Sequence, residues 1–168
     1  AGWTQRAKLV AADGATGDYF GYSVAISGDT VAVGAYGDDD KGSNSGSAYI
    51  FVRSSGGTWS EEARLLAADG AGDDYFGCSV AIAGGLAVVG SLGDDDSGSS
   101  SGSAYVFVLD QGVWQQEAKL VAPDGYSSDQ FGYSVGVSGT RAVVGSPYDD
   151  DLGSASGSAY VFSRSSGS

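Results

Sequence analysis

The sequence predicts an all-β protein made of three β-propeller blades, and two observations carry that prediction. One pattern is written three times: a strand-like stretch that opens at Trp3, Trp59 and Trp114 leads to Asp-Gly, Phe-Gly, an apolar run, a triple aspartate and Gly-Ser-Ala-Tyr. Each unit also reads as four short strands with no helical periodicity. A repeat of this size is one supersecondary unit that needs its neighbours to bury its apolar face.

The first unit shows how each strand is predicted. Apolar and polar residues alternate over residues 3–10, which is typical of a strand with one wet face. Residues 22–27 and 31–35 are apolar strands on either side of a Gly-Asp turn. Residues 47–53 alternate again after a polar loop. A meander of four such strands is a propeller blade. A β-trefoil is the rival architecture, but its unit is usually shorter and lacks the fully apolar central strand.

The chain therefore divides into one array of three units, at about residues 3–58, 59–113 and 114–168. Small residues in the central strands fit the crowded region near a propeller axis. The phenylalanines at positions 20, 76 and 131 are predicted to be wedges between neighbouring sheets. Cys78 is the only cysteine, and tyrosines take its place in the other units, so it is interpreted as a small packing residue.

The charge balance limits the classes of partner. The 21 acidic and 8 basic residues give a net charge of −13, which argues against binding to nucleic acid or to an anionic membrane surface. No apolar run approaches the ~20 residues that cross a bilayer, so no membrane insertion is expected. The composition instead suits a cation-binding or highly solvated extracellular protein.

The repeated motif resembles the FG-GAP repeat family, which forms the blades of integrin α-subunit propellers and of many bacterial surface proteins. The Phe-Gly element is found at residues 20–21, 76–77 and 131–132, each time ahead of a triple aspartate and Gly-Ser-Ala-Tyr. The resemblance implies a propeller of the bacterial branch. Integrin-type calcium loops are not carried over, because the connection between the first two strands, residues 27–30, is too short to wrap an ion.

The resemblance also implies the position of each strand in its blade. In this family the Phe-Gly strand is innermost and the Trp strand outermost, so the chain begins with an outer strand at residues 3–10 and ends with a blade that lacks one. Propellers have 4–8 blades, and an unpaired sheet edge favours association. The sequence therefore predicts half of a six-bladed propeller, closed as a homodimer by strand exchange (3 + 3 = 6 blades).

Strand direction places two aspartate-rich loops of every unit on one face. Clustered carboxylates repel each other unless water, salt or a cation relieves the repulsion, and Ca²⁺ takes several such oxygen ligands. Two further interpretations stay open: the aspartates are turn formers and solubilisers, or they bind another metal. The predicted metal ligands are Asp18, Asp38, Asp39 and Asp40, then Asp74, Asp94, Asp95 and Asp96, then Asp129, Asp149, Asp150 and Asp151.

The function expected from these features is a non-catalytic binding or adhesion scaffold outside the cell, which uses the aspartate face and depends on Ca²⁺. The chain has no histidine, the usual general base, and the same loop recurs in every unit, whereas catalysis usually needs one asymmetric constellation. The alternative is a carbohydrate-binding propeller, in which exposed tyrosines stack on sugar rings: Tyr19, Tyr36, Tyr75, Tyr126 and Tyr148. The identity of a protein or glycan ligand is not predicted.

Overall fold

The computed structural model describes residues 2–165 and confirms an all-β chain of three successive antiparallel sheets. Each sheet is one propeller blade whose strands follow one another in chain order. Blade 1 consists of β1 (Ser23–Ser27), β2 (Thr30–Ala35), β3 (Ser47–Arg53) and β4 (Trp59–Leu65). Blade 2 consists of β5 (Phe76–Ala83), β6 (Leu86–Ser91), β7 (Ser103–Asp110) and β8 (Val113–Leu120). Blade 3 consists of β9 (Ser134–Ser138), β10 (Arg141–Ser146) and β11 (Ser158–Ser163).

The sheets are offset from the sequence repeats by one strand. The strand that opens at Trp59 is the outer strand of blade 1, and the strand around Trp114 is the outer strand of blade 2. Short loops after β3 and β7 turn the chain back, so each Trp strand pairs with the sheet before it. Both outer pairings carry a β-bulge at the same position, between Ile50 and Phe51 in β3 and between Val106 and Phe107 in β7.

Residues 3–10 do not form the strand that the alternation predicts. Within the described residues this segment has no strand pairing, and Trp3 is fully exposed. A strand needs a neighbouring edge for its backbone hydrogen bonds, and this segment pairs with none in the described chain, although Leu9 packs on the core of blade 1. Blade 3 consequently has three strands, and β11 is its unpaired edge. Completion of a terminal blade by residues 3–10 stays a prediction.

Neighbouring blades pack on the phenylalanine of the Phe-Gly element. Phe76 is fully buried between blades 1 and 2, and Phe131 is fully buried between blades 2 and 3. Their amides bind the preceding blade, because Phe76 N donates to Ser45 O at 3.1 Å and Phe131 N donates to Ser101 O at 2.9 Å. Within the described residues no second blade packs on Phe20, which is only half-buried. The wedge predicted from the sequence is therefore complete at two positions of three.

The central strands are apolar because a blade covers each face. All six residues of β6 are buried, whereas buried and exposed residues alternate in β10, which has a neighbouring blade on one side only. Gly90 in β6 allows a close approach of two blades, since a Cβ there would overlap the carbonyl group of Gly132 in the next blade. Cys78 is buried as expected, and burial raises the pKa of its thiol to about 11.

Candidate functional site: three carboxylate clusters

Each repeat gathers three aspartates at the same end of its blade, and we call each group a carboxylate cluster. Two members come from the triple aspartate in the loop after the central strand. The third comes from the Asp-Gly turn that precedes the Phe-Gly element, so residues far apart in sequence meet through the fold. The clusters are Asp13, Asp38 and Asp40 in repeat 1, Asp69, Asp94 and Asp96 in repeat 2, and Asp124, Asp149 and Asp151 in repeat 3.

Two side chains from neighbouring strands organise the cluster of repeat 2. The Tyr105 hydroxyl on β7 lies 2.7 Å from Asp94 Oδ2 and 2.9 Å from Asp69 Oδ1. Lys119 Nζ on β8 lies 2.8 Å from a carboxylate oxygen of Asp69, 2.8 Å from Asp94 and 2.5 Å from Asp96. These two side chains meet because Tyr105 and Lys119 are paired across the strands. One ammonium therefore contacts all three carboxylates and offsets part of their charge.

The cluster of repeat 1 is built in the same way with a different cation. Arg64 on β4 contacts Asp13 and lies 2.5 Å from Asp40. The Tyr49 hydroxyl lies 2.9 Å from Asp38 and 3.0 Å from Asp13. A guanidinium and an ammonium thus occupy one position, which indicates that the position selects positive charge.

The titration behaviour reflects this pairing. Burial alone would raise the pKa of Asp69, but hydrogen bonds from Lys119 and Tyr105 hold it below its usual value. Burial alone would lower the pKa of Lys119, but its three carboxylate partners raise it above the ordinary value. Burial and the neighbouring Asp94 raise the pKa of Tyr105, so its hydroxyl stays protonated and donates. In repeat 2 the ammonium and the hydroxyl therefore favour ionised carboxylates.

The cluster of repeat 3 has its tyrosine but no basic side chain. The Tyr160 hydroxyl lies 2.5 Å from Asp149 and 3.0 Å from Asp124. Its hydrogen bond holds the pKa of Asp149 below the usual value. The charges of Asp149 and Asp124 raise the pKa of Asp151, because no cation in the described residues offsets them. The third cluster carries unrelieved repulsion.

The twelve aspartates predicted as metal ligands do not form one set. Six of them, two per repeat, belong to the carboxylate clusters. The aspartates before each Phe-Gly element close their own turns, accepting from a backbone amide three residues earlier at 2.6–2.7 Å: Asp18, Asp74 and Asp129. The middle aspartates of each triplet point away from the clusters; Asp39 accepts from Asn44 N at 2.8 Å, and Asp95 and Asp150 are exposed.

One cluster has the spacing of a metal site. Oxygens of Asp69, Asp94 and Asp96 lie within 4.8 Å of one another, so these three carboxylates could hold a metal ion. Lys119 Nζ already lies among the same three oxygens. A metal ion at this place would have to displace the ammonium. The geometry therefore favours a built-in cation over a bound metal in repeats 1 and 2.

Sequence reasoning did not identify the basic residue or the tyrosine of each cluster as site residues. The signal was present: a Lys or Arg follows each Trp by five positions, at Lys8, Arg64 and Lys119, and the tyrosine belongs to each Gly-Ser-Ala-Tyr. Both sit on strands whose pattern was interpreted only as alternation. Their shared role depends on the pairing of adjacent strands, which a single repeat does not display.

Removing the tyrosine hydroxyl tests the network. We expect Tyr105→Phe to lower the free energy of unfolding by about 1–2 kcal/mol, because it leaves Asp94, which is buried, short of a donor. Chemical denaturation monitored by circular dichroism measures the change. Tyr126→Phe is the matched control, since Tyr126 is 74% exposed. Equal stability of the two variants would contradict the role assigned to Tyr105.

Tyrosines gather beside the aspartate loops at the boundary of blades 1 and 2. The rings of Tyr19 and Tyr36 stack with centroids 5.0 Å apart, and Tyr22 and Tyr75 contact Tyr36 at 4.5 and 5.9 Å. We call these four residues the tyrosine cluster. A groove of about 200 Å³ lies against Tyr22, Tyr36 and Tyr75. Tyr126 and Tyr148, which the sequence analysis named as candidates together with Tyr19, Tyr36 and Tyr75, are exposed and make no ring contact with the tyrosine cluster in the described residues.

Comparison with known families agrees with the fold. The FG-GAP repeat model matches three times, over residues 3–51, 59–107 and 114–162. No curated protein sequence matches the chain. In the described part of the chain, no helix is long and apolar enough to span a membrane. The three matches cover most of the sequence in the same register as the repeats, and the chain therefore belongs to the FG-GAP repeat family.

Proposed function

We propose that this protein is a non-catalytic binding scaffold that works outside the cell and recognises its ligand at the face formed by the aspartate loops. The observation that supports this is the juxtaposition of the acidic loops with the tyrosine cluster. Tyr36 directly follows β2 in the loop that carries Asp38, and Gly37 N donates to Asp18 O at 3.2 Å. Acidic loops and aromatic surface therefore share one face, and aromatic residues are enriched in protein interfaces.

The residues of this face suit binding rather than catalysis. The carboxylates of repeats 1 and 2 are held by a tyrosine and a basic residue in fixed pairs, and the same arrangement is repeated. The chain has no histidine to activate its many serines. An adhesion role with a basic protein surface as ligand follows from the net charge of −13.

A carbohydrate ligand is the second candidate, and the tyrosine cluster favours it. Tyr19 and Tyr22 are 61% and 63% exposed although they contact other rings, which leaves aromatic surface available for a sugar. Asp73 and Asn44, joined at 2.9 Å, lie on the adjoining loops and supply groups for hydroxyl hydrogen bonds. This arrangement suits a lectin-like site at the boundary of blades 1 and 2.

One binding experiment separates the two candidates. The protein is applied to a glycan array and to a panel of immobilised extracellular proteins, with and without calcium. We expect Tyr36→Ala to abolish binding to glycans, because Tyr36 contacts the other three rings of its cluster. Tyr126→Ala is the control, as an exposed tyrosine outside that cluster. Absence of binding to both panels would contradict the scaffold proposal itself.

Calcium dependence stays a prediction, and the geometry restricts where to look for it. In repeats 1 and 2 the ion must compete with Arg64 or Lys119. We therefore expect any calcium binding to the single chain to depend on Asp149 and Asp151 in repeat 3. Isothermal calorimetry with Asp151→Asn tests this, with Asp96→Asn as the matched variant. A titration without heat and without a thermal shift would remove calcium from the proposal.

A further inference from the structure

The third carboxylate cluster adjoins a sheet that lacks its outer strand. In blades 1 and 2 the outer strand brings the cation, Arg64 or Lys119. Blade 3 ends at β11, and no Lys or Arg within residues 2–165 forms an ion pair with Asp124, Asp149 or Asp151. The missing strand and the missing charge are therefore one structural gap.

An apolar groove of about 350 Å³ lies beside the same edge, between blades 2 and 3. The equivalent place between blades 1 and 2 holds Trp114, which packs on that core and donates from Nε1 to Glu62 Oε2 at 3.1 Å. The residue equivalent to Glu62 is Glu117, which lines the groove. Arg164 binds only its Oε1, so Oε2 is left without a donor among the described contacts. Arg141 and Arg164 also line the groove, and its apolar part suits an indole ring: Leu86, Val88, Val106, Ala118, Leu120, Ala142 and Phe162.

The N-terminal segment carries the groups that this edge lacks. Its sequence WTQRAKL matches WSEEARL of β4 and WQQEAKL within β8, which places Trp3 with Trp114 and Lys8 with Lys119. All residues from Gly2 to Lys8 are exposed, and none of them belongs to a strand in the described chain. Residues 3–9 therefore have the pattern of an outer strand but belong to no sheet, and the edge of blade 3 at β11 lacks an outer strand.

We propose that residues 3–9 of a second copy form the fourth strand of blade 3, with Trp3 in the groove and Lys8 in the third carboxylate cluster. The exchange is mutual, so two chains close one ring (3 + 3 = 6 blades), within the usual range of 4–8. The proposal goes beyond the binding function and does not depend on which protein or glycan the acidic face takes. In the dimer Lys8 would compete with calcium for the third cluster, as Lys119 does in repeat 2, so the calcium prediction applies to the single chain.

The register of this docking follows from the existing outer pairings. Tyr49 pairs with Arg64 and Tyr105 pairs with Lys119, which sets Lys8 opposite Tyr160. Beyond the β-bulge that both existing pairings carry, the register moves by one residue and sets Thr4 opposite Ser163 and Trp3 opposite Arg164. Lys8 then reaches the two carboxylates that contact Tyr160, as Lys119 does in repeat 2.

Blade 1 has the complementary open surface. Val24 and Ile26 on β1 are each 66% exposed, whereas their equivalents Val80 and Ile82 are buried against the preceding blade. Phe20 is half-buried where Phe76 is fully buried. Blade 3 of the second copy would cover this surface as blade 1 covers blade 2. Blades 1 and 3 of the described chain thus leave surfaces open that match each other.

A disulfide between residues that the proposed register places opposite each other tests whether the fourth strand of blade 3 comes from a second chain. Residues opposite each other in an antiparallel pair are close enough for a disulfide, so Thr4→Cys with Ser163→Cys is expected to give a covalent dimer on oxidation. The natural Cys78 is buried and does not interfere. The single variant Thr4→Cys is the control. A disulfide within one chain, or free thiols, would overturn the proposal.

Sedimentation in the presence of a chelator tests the role of Lys8. We expect the wild type to have the mass of two chains, and Lys8→Gln to raise the dimer dissociation constant about 30-fold, since it leaves Asp149, which is buried, unpaired. Lys8→Arg should stay close to wild type, because Arg64 holds this position in repeat 1. Arg6→Gln removes the same charge two residues away as the control. An equal effect of Arg6→Gln and Lys8→Gln, or a wild-type mass of one chain, would overturn the assignment.

Discussion

Replacing Phe76 with alanine is expected to lower the free energy of unfolding by about 3–5 kcal/mol. Phe76 is fully buried, and its ring packs edge-on against Tyr105 and Phe107 of its own blade at centroid distances of 5.4 and 6.0 Å. It also contacts the core residues of blade 1, so its removal leaves a cavity at the blade boundary. Urea denaturation followed by tryptophan fluorescence measures the loss.

Two variants control this measurement. Phe76→Leu keeps most of the buried volume and should cost clearly less than Phe76→Ala. Phe20→Ala removes the equivalent ring from a half-buried site, so its cost in a single chain should be about 1 kcal/mol. If a second copy covers Phe20 in the dimer, the stability lost in Phe20→Ala should increase with protein concentration, because more of the protein is then dimeric. A small effect of Phe76→Ala would show that the blades are not held together by the phenylalanine wedge.

Replacing Lys119 with methionine is expected to lower the free energy of unfolding at neutral pH by about 2–3 kcal/mol. The loss of one partner from a buried pair costs about 3–5 kcal/mol. We expect less because the side chains of Asp69 and Asp96 are 49% and 54% exposed, although Lys119 and Asp94 are only 17% and 6% exposed. Lys119→Arg should be close to wild type. A Met variant as stable as wild type would mean that the ion pairs add nothing net.

The pH dependence gives this prediction a second readout. In the wild type the pKa of Asp69 is lowered, so its contribution to stability is present above the unfolded value of about 3.9 and is lost as the pH falls through the folded value. Without Lys119 the three carboxylates repel, as in repeat 3, where the pKa of Asp151 is raised. That repulsion is absent when they are protonated. The difference between wild type and Lys119→Met should therefore shrink as the pH falls from 7 toward about 4.

The carboxylate clusters show how far sequence reasoning reached for the site. It placed the aspartate loops on one face, because strand direction in a meander follows from strand count. It did not separate Asp38 and Asp40, which join a cluster, from Asp39, which closes its own loop. Adjacent aspartates in one turn point in different directions, and that choice depends on backbone geometry and on which side chains of β3 and β4 reach them.

The sequence by itself determined the blades, because period-two alternation, turn residues and a threefold repeat predict a meander of four strands in each unit. The tertiary structure decided which groups meet. Only when β3 and β4, or β7 and β8, lie side by side do a tyrosine and a basic residue converge on three aspartates from two separate loops. Only the packing of whole blades shows that residues 3–10 pair with no edge within the described chain. Strand pairing is a contact between distant segments, and the pattern of one segment specifies no partner.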